Sequence, residues 1–208
     1  MKNKYNIITT CDKSYFLFVK ILINSILDKC NLSLIDTIFI VDTGLDDDQL
    51  DYLQKRSPLI SFVKTGLKTN FDGGTWGNDW QLNVRSKTRT LYHVINQTKT
   101  PTLMLDSDMM VLGDLSKLVD AGGDIQVCVR ERGVRYIGSY FFGLNPLKSL
   151  PFIKEWSDIT NSQQGKTAIE SPSLVYVVDK NKASGDLSII ERSEDEVNAY
   201  TPEALTEN

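Results

Sequence analysis

Strand-like and helix-like patterns alternate along the first third of the chain. Residues 5–10, 37–41 and 60–63 are short runs rich in β-branched and aromatic residues, which predicts strands. Residues 15–27 carry apolar side chains at helical spacing, and the acidic trio 46–48 favours the start of a second helix rather than a metal site. This β-α-β-α-β order predicts an α/β fold with a mostly parallel sheet and helices on its faces.

The pattern continues after a loop at 70–79 that is rich in glycine, asparagine and aspartate. This loop has two large aromatic residues nearby, Trp76 and Trp80, and it either folds onto the core or forms a lid or rim near the carboxyl edge of the sheet. A further element begins near residue 167, and within it Pro172 disfavours helical geometry at Ser171. The remaining predicted elements are a helix over 81–96, a strand over 102–105, a short helix within 113–118, strands over 125–129 and 138–145, and a helix over 151–159.

The stretch 102–112 carries the clearest chemical signal, because two carboxylates interrupt its apolar sequence. Residues 102–105 predict a buried strand, and Asp106 and Asp108 follow where that strand ends. Ionised carboxylates in such surroundings are costly to bury unpaired, so a positive partner is expected. Mg²⁺ or Mn²⁺ fits, since these cations bind through one or two carboxylates together with substrate phosphates. A helix N-cap or a solvated turn is the alternative.

Composition narrows the class of protein. The chain has 208 residues, is 41% hydrophobic and 24% charged, and carries a formal charge of -4. It therefore lacks the positive electrostatic field that would favour binding of nucleic acid. Its three scattered cysteines suit a reducing compartment, and no signal peptide or membrane-spanning run is present. We expect a cytoplasmic protein, with peripheral membrane contact left open. One domain is expected over 1–180, with an acidic tail or peripheral helix over 181–208.

Several other residues are candidates for ligand contact. The first strand leads into Asp12, which either caps the following helix or contacts a base. No glycine-rich phosphate loop is present, so a nucleotide would be held by side chains. Among the cations at 85, 87 and 89, Lys87 is our choice to face a diphosphate. His93, the one histidine, is expected in the core or at the surface rather than in a ligand set.

Three stretches together resemble a known family. They are Thr9-Thr10-Cys11-Asp12 with Tyr15, Val41-Asp42-Thr43-Gly44-Leu45, and the run 103–115 with its Asp-x-Asp and Gly-Asp-Leu turn. The chain resembles nucleotide-sugar glycosyltransferases of the Rossmann-like GT-A type, and specifically the glycogenin and bacterial lipopolysaccharide galactosyltransferase group. The resemblance covers roughly residues 5–178.

The resemblance implies roles for individual residues. Asp106 and Asp108 would hold Mn²⁺ or Mg²⁺ against the donor diphosphate, with Ser107 close to the ribose. Lys87 would lie near the diphosphate or sugar, and Glu170 near the donor sugar or acceptor. The residues implied to contact the base and ribose, most simply of uridine, are Thr9, Thr10, Cys11, Asp12 and Tyr15.

One part of the family pattern is missing. The group has a late His-x-x-Gly-x-x-Lys segment whose histidine completes the metal site, but no histidine follows His93 here. A carboxylate, water or residue outside this sequence would have to replace that ligand. The stereochemistry also stays open: an inverting reaction needs a base, for which Glu170 is the candidate, whereas a retaining reaction needs none.

These observations predict a metal-dependent enzyme of the hexosyltransferase type. Its donor would be a nucleotide sugar, most simply linked to UDP, and its acceptor a saccharide, lipid-linked or protein hydroxyl. One alternative is a nucleotidyltransferase, which would normally carry a glycine- and arginine-rich triphosphate loop. The other is a non-catalytic sugar-nucleotide-binding protein.

Overall fold

A single sheet of seven strands organises the part of the chain that the structure describes. This computed structural model describes residues 4–70, 77–163, 166 and 169–197. The strand order is β3-β2-β1-β4-β6-β5-β7, and β6 alone runs antiparallel to its neighbours. The predicted mostly parallel α/β sheet is therefore confirmed. The strands are β1 (Tyr5–Cys11), β2 (Ile35–Asp42), β3 (Ile60–Lys64), β4 (Thr102–Leu105), β5 (Ile125–Val129), β6 (Tyr136–Gly143) and β7 (Ile189–Ser193).

Helices cover both faces of the sheet, as the alternating pattern predicts. One face packs against α1, α2, α4 and α7, and the other against α3, α5 and α6. Strand β4 lies between the two layers and all four of its residues are buried, with Leu103 in one core and Met104 in the other. The helices are α1 (Phe16–Lys29), α2 (Asp47–Gln54), α3 (Asn78–Thr98), α4 (Ser116–Val119), α5 (Pro146–Ser162), α6 (Glu170–Ser184) and α7 (Glu194–Val197).

Local signals explain where several helices begin. The acidic trio starts α2 as predicted, and Asp46 and Gln49 form a capping box that satisfies free backbone N–H groups. Helix α5 begins at Pro146 rather than at 151, because a proline costs no hydrogen bond in the first turn. Helix α3 begins at Asn78, three residues before the predicted start, and thereby includes Trp80.

Two predictions about the later part of the chain differ from the structure. Ser171 is helical. Pro172 is tolerated because it is the third residue of α6, and backbone N–H groups in the first turn of a helix make no intrahelical hydrogen bond. In the segment predicted as a tail or peripheral helix, α6 continues to Ser184 and β7 pairs in parallel with β5. Glu191 anchors this edge strand by accepting hydrogen bonds from Tyr136 and Lys182.

Part of the predicted loop 70–79, including Trp76, lies outside the described residues, as does the stretch 198–208. None of the described helices is long and apolar enough to cross a membrane.

Candidate active site

The carboxyl ends of the parallel strands meet at one edge of the sheet, where the residue before α1 and the first turns of α3 also lie. A cleft of about 160 Å³ opens there. Such an edge is where ligands bind in open α/β sheets. The residues that line the cleft are Thr10, Asp12, Tyr15, Trp80, Asn83, Val84, Lys87, Asp106, Ser107, Asp108 and Glu170.

The Asp-x-Asp segment turns as soon as β4 ends. The N–H of Asp106 donates to the carbonyl of Ser139 on β6 at 2.9 Å, and the N–H of Met109 donates back to the carbonyl of Asp106 at 3.2 Å. Asp106 and Asp108 therefore share the cleft through a tight turn and not through the side-chain alternation of a straight strand.

Lys87 joins three elements at the floor of the cleft. Its Nζ donates to Asp106 Oδ1 at 2.7 Å and to the carbonyl of Gly138 at 2.9 Å, and it pairs with Glu170 Oε1 at 2.8 Å. The side chain is only 6% exposed. Burial disfavours its ammonium group, but Asp106 and Glu170 outweigh that penalty and raise the pKa of Lys87 above its usual value. Lys87 is thus a fixed positive charge.

Glu170 is held from several sides. It is the first residue of α6, and the indole Nε1 of Trp156 donates to its carbonyl at 3.1 Å. A Cβ added at Gly138 would lie 2.3 Å from Glu170 Cδ and 2.6 Å from both carboxylate oxygens, so any larger residue here would require the carboxylate to move. Burial raises the pKa of Glu170 to about 7, although Lys87 opposes the shift.

Asp108 differs from Asp106 in its surroundings. Its side chain is exposed at the cleft, and among the described residues it forms no ion pair. Even so, partial desolvation and repulsion from Asp106 raise the pKa of Asp108 above its ordinary value. A nearby cation would lower this pKa again, because it would stabilise the ionised carboxylate that burial and Asp106 destabilise.

The two carboxylates fit a hard divalent cation in type and placement. Asp106 uses Oδ1 for Lys87, which leaves Oδ2 and the carboxylate of Asp108 as oxygen ligands. No group of three or more His, Cys, Asp or Glu side chains suited to a metal occurs within the described residues. The site therefore suits a cation that takes its remaining ligands from phosphate oxygens and water, as Mg²⁺ often does.

Asp12 organises the opposite wall of the cleft. Its Oδ1 accepts from the N–H groups of Ser14 and Tyr15, both at 3.1 Å, which shapes the turn into α1. Its Oδ2 accepts from Asn83 Nδ2 at 3.1 Å and from Thr69 Oγ1 at 3.3 Å. Asp12 therefore links the end of β1 to α3. It does not cap α1, as one of the two interpretations predicted, because the N-cap position of that helix is Tyr15, whose side chain makes no capping hydrogen bond. Base contact stays a prediction.

The other predicted residues divide between cleft and core. Thr10, Tyr15 and Ser107 line the cleft. Thr9 and Cys11 point to the opposite face of β1, where they are buried, so contact with a nucleotide would have to come from their backbone.

The remaining charged candidates on α3 lie elsewhere. Arg85 donates to the carbonyl of Gln163 and Arg89 to the side chain of Asn161, which directs both toward α5. His93 is exposed beside Tyr92, consistent with the predicted surface position.

Asn83 and Val84 were missed from sequence, whereas Trp80 was predicted only as an aromatic residue beside the loop at 70–79. Trp80, Asn83 and Val84 precede Lys87 by seven, four and three residues, which is the spacing of one helix face. That signal was present, but the predicted helix began at 81 and so left Trp80 in a loop.

Comparison with solved structures identifies the fold. The glycosyltransferase GlyE of Streptococcus pneumoniae TIGR4 superimposes with a TM-score of 0.62 at 14% identity, over 94% of this chain and 46% of GlyE. The galactosyltransferase LgtC, crystallised with donor and acceptor sugar analogues, gives 0.57 at 12% identity, over 91% of this chain and 73% of LgtC. The chain has the GT-A glycosyltransferase fold.

A third GT-A neighbour is the bifunctional glycosyltransferase WbbM, with a TM-score of 0.56 at 13% identity, over 86% of this chain and 38% of WbbM. Our chain thus spans less than half of GlyE and of WbbM. No protein-family model and no curated protein matches the sequence. The predicted GT-A fold is confirmed by structure alone, at sequence identities too low to transfer substrates.

Proposed function

We propose that this chain is a metal-dependent glycosyltransferase that moves a sugar from a nucleotide-sugar donor, most simply a UDP-sugar, to an acceptor hydroxyl. The observation that carries the proposal is the placement of Asp106 and Asp108 at the end of β4, in one cleft with Lys87 and Glu170, on a GT-A fold. The solved complex of LgtC with donor and acceptor analogues supports a sugar donor by analogy.

The charge of the cleft argues for a divalent cation. Four carboxylates line it, those of Asp12, Asp106, Asp108 and Glu170, against the single ammonium of Lys87. With all of them ionised, the lining carries a formal charge of −3, which would repel a diphosphate at short range. Mn²⁺ or Mg²⁺ held by Asp106 and Asp108 would offset most of this negative charge and place a positive charge beside the diphosphate. As a Lewis acid, it would also stabilise charge on the departing diphosphate.

Lys87 and Glu170 contribute in different ways. Lys87 keeps its charge because Asp106 and Glu170 surround it, so it is preorganised to face developing negative charge on the leaving group. In an inverting reaction Glu170 would accept the proton of the acceptor hydroxyl, and its raised pKa places it in the range where a base works well near neutral pH. In a retaining reaction its carboxylate would orient the donor sugar.

A second function is favoured by one observation. Within the described residues, no third side chain joins the two aspartates as a metal ligand. A non-catalytic sugar-nucleotide-binding protein would need only donor affinity, for which two carboxylates and a diphosphate are sufficient.

Donor turnover separates the two functions. Purified protein is incubated with Mn²⁺ and a panel of UDP-, GDP- and ADP-sugars, and release of the nucleoside diphosphate is measured with and without simple saccharide acceptors. An enzyme should release UDP from at least one donor, and Asp108→Ala should abolish this release. Asp36→Ala is the control and should not, because Asp36 lies at the amino end of β2, away from the cleft. Donor binding without any release would favour the binding protein, and release that is unchanged in Asp108→Ala would contradict the proposal.

A further inference from the structure

The side chain of Asn83 lines the cleft and is held in place from behind. Asn83 belongs to α3 and is half-buried. Its Nδ2 donates to Asp12 Oδ2 at 3.1 Å, and its Oδ1 accepts from Thr69 Oγ1 at 2.8 Å. A carboxamide has two N–H donors and two acceptor lone pairs, so these two bonds use only one of each.

Asp12 fixes the orientation of this carboxamide. An ionised carboxylate accepts hydrogen bonds and donates none, so the amide nitrogen of Asn83, and not its oxygen, must face Asp12. The hydroxyl of Thr69, a residue that is 3% exposed, then donates to the oxygen. Asn83 therefore presents an N–H and a C=O to the cleft in a defined order.

The carboxylate of Asp12 is already engaged by the protein. Asp12 is only 1% exposed. Its Oδ1 accepts from the N–H and the hydroxyl of Ser14 and from the N–H of Tyr15, and its Oδ2 accepts from Asn83 and Thr69. These donors already occupy the roughly four lone-pair sites that a carboxylate offers. Asp12 therefore acts on a ligand through Asn83, which makes it a positioning residue.

The place of Asn83 along α3 suits the base of a nucleotide. Asn83 precedes Lys87 by four residues, which puts it about 6 Å closer to the start of the helix. Lys87 in turn contacts Asp106, one of the two aspartates proposed to hold the metal and the diphosphate. A nucleotide separates its base from its diphosphate by one ribose, so a diphosphate held at Asp106 brings the base within reach of Asn83.

Two aromatic side chains line the same cleft. Tyr15 is the residue before α1, and Trp80 lies in the first turn of α3, three residues before Asn83. Aromatic rings stack on any planar base, so stacking alone selects none. Selection needs polar groups at the edge of the base, and Asn83 supplies the one carboxamide among the described residues that line the cleft.

We propose that the Asn83 carboxamide reads the base of the nucleotide donor and selects uracil over cytosine. The N3–H of uracil lies between two carbonyl groups. It can therefore donate to Asn83 Oδ1 while the carbonyl on either side accepts from Nδ2. Cytosine offers its neighbouring donor and acceptor, the N4 amino group and N3, in one order only. This inference rests on the proposed function and names the residue that selects the base of its donor.

The test compares UDP with N3-methyl-UDP and CDP, each titrated calorimetrically into the protein with Mn²⁺. The methyl group removes the N3–H and leaves the rest of the nucleotide in place. A good bidentate pair between a side chain and a base discriminates by about 5- to 150-fold, so both analogues should bind wild type more weakly than UDP by a factor in that range. In Asn83→Ala, UDP should lose this advantage, and the three dissociation constants should agree within about twofold.

Two further variants complete the comparison. Asn24→Ala is the matched control, because Asn24 is also a half-buried helical asparagine and accepts a hydrogen bond from Arg56, but it does not line the cleft. It should keep the wild-type preference for UDP. Thr69→Val removes the hydroxyl that holds Asn83 and fills the same space, so it should reduce the preference and leave the requirement for Mn²⁺ unchanged. A purely structural role for these residues would lower Tm without changing the ratios of the dissociation constants.

Equal affinity of wild type for UDP and N3-methyl-UDP would overturn this inference, as would a preference that persists in Asn83→Ala. A preference that persists there but disappears in Asp12→Asn would assign base contact to Asp12 instead. Mn²⁺-dependent binding of UDP without any base preference would leave the donor site in place and remove only the role of Asn83. The absence of UDP binding in the presence of Mn²⁺ would contradict both this inference and the proposed function.

Discussion

Gly138→Ala should disturb the floor of the cleft through one contact. The new Cβ would lie 2.3 Å from Glu170 Cδ and 2.6 Å from both of its carboxylate oxygens, whereas ordinary contacts begin near 3.4 Å, so the carboxylate must move by roughly 1 Å. That movement would pull Glu170 from Lys87, its buried partner at 2.8 Å. We expect a loss of about 1–3 kcal/mol in the free energy of unfolding, which for a chain of this length lowers Tm by about 2–4 °C per kcal/mol.

The cause can be isolated with a double-mutant cycle measured by urea unfolding. In a Glu170→Ala background the same glycine substitution meets no carboxylate, so its cost should fall to within about 0.5 kcal/mol of zero. Gly113→Ala is the matched control, since a Cβ there meets nothing within 4 Å and its φ is not positive. An equal cost for Gly138→Ala with and without the Glu170 side chain would refute this reasoning.

Two further predictions concern stability. The pKa of Glu170 in the folded chain, about 7, lies above its ordinary value of 4.5, so its contribution is present below about pH 4.5 and is lost as pH rises through 7. Between pH 5 and pH 8, the free energy of unfolding measured with urea should therefore fall more for wild type than for Glu170→Gln. Equal decreases would contradict the assignment of this pH dependence to Glu170. Asp46→Ala removes the capping box of α2 and should cost about 1 kcal/mol, whereas Asp46→Ser keeps a capping oxygen and should retain most of that stability in thermal melts.

Signals that are local in sequence predicted much of the fold. The buried run of β4, the acidic start of α2 and the alternation of strands and helices each depend on neighbouring residues, and each appears in the structure. Strand β7 was missed because it is a half-exposed edge strand with polar residues, held partly by the bonds that Glu191 makes with distant residues. Its pairing with β5 is a tertiary interaction that local pattern does not contain.

Several residues selected from sequence line the candidate site, but the sequence did not predict how they are arranged. Lys87 and Glu170 were both selected, yet their contact joins α3 to α6 across a long stretch of chain. The requirement for glycine at 138 arises only once Glu170 is in place. The sequence left two roles for Asp12, helix capping and base contact. Its hydrogen bonds with Thr69 and Asn83 depend on how β1 meets α3, which the sequence around Asp12 does not contain.

The proposed function requires that two acidic side chains at the end of β4 bind a diphosphate through a divalent cation. Its most direct test is the thermal shift of the protein with UDP, in the presence of Mn²⁺ or of a chelator, for wild type, Asp108→Ala and Asp36→Ala. At a UDP concentration 100 times Kd, binding adds about 2.7 kcal/mol, so we expect Tm to rise by about 5–10 °C with Mn²⁺ in wild type and Asp36→Ala. The rise should vanish with chelator and in Asp108→Ala. An equal rise without metal, or in Asp108→Ala, would contradict the claim.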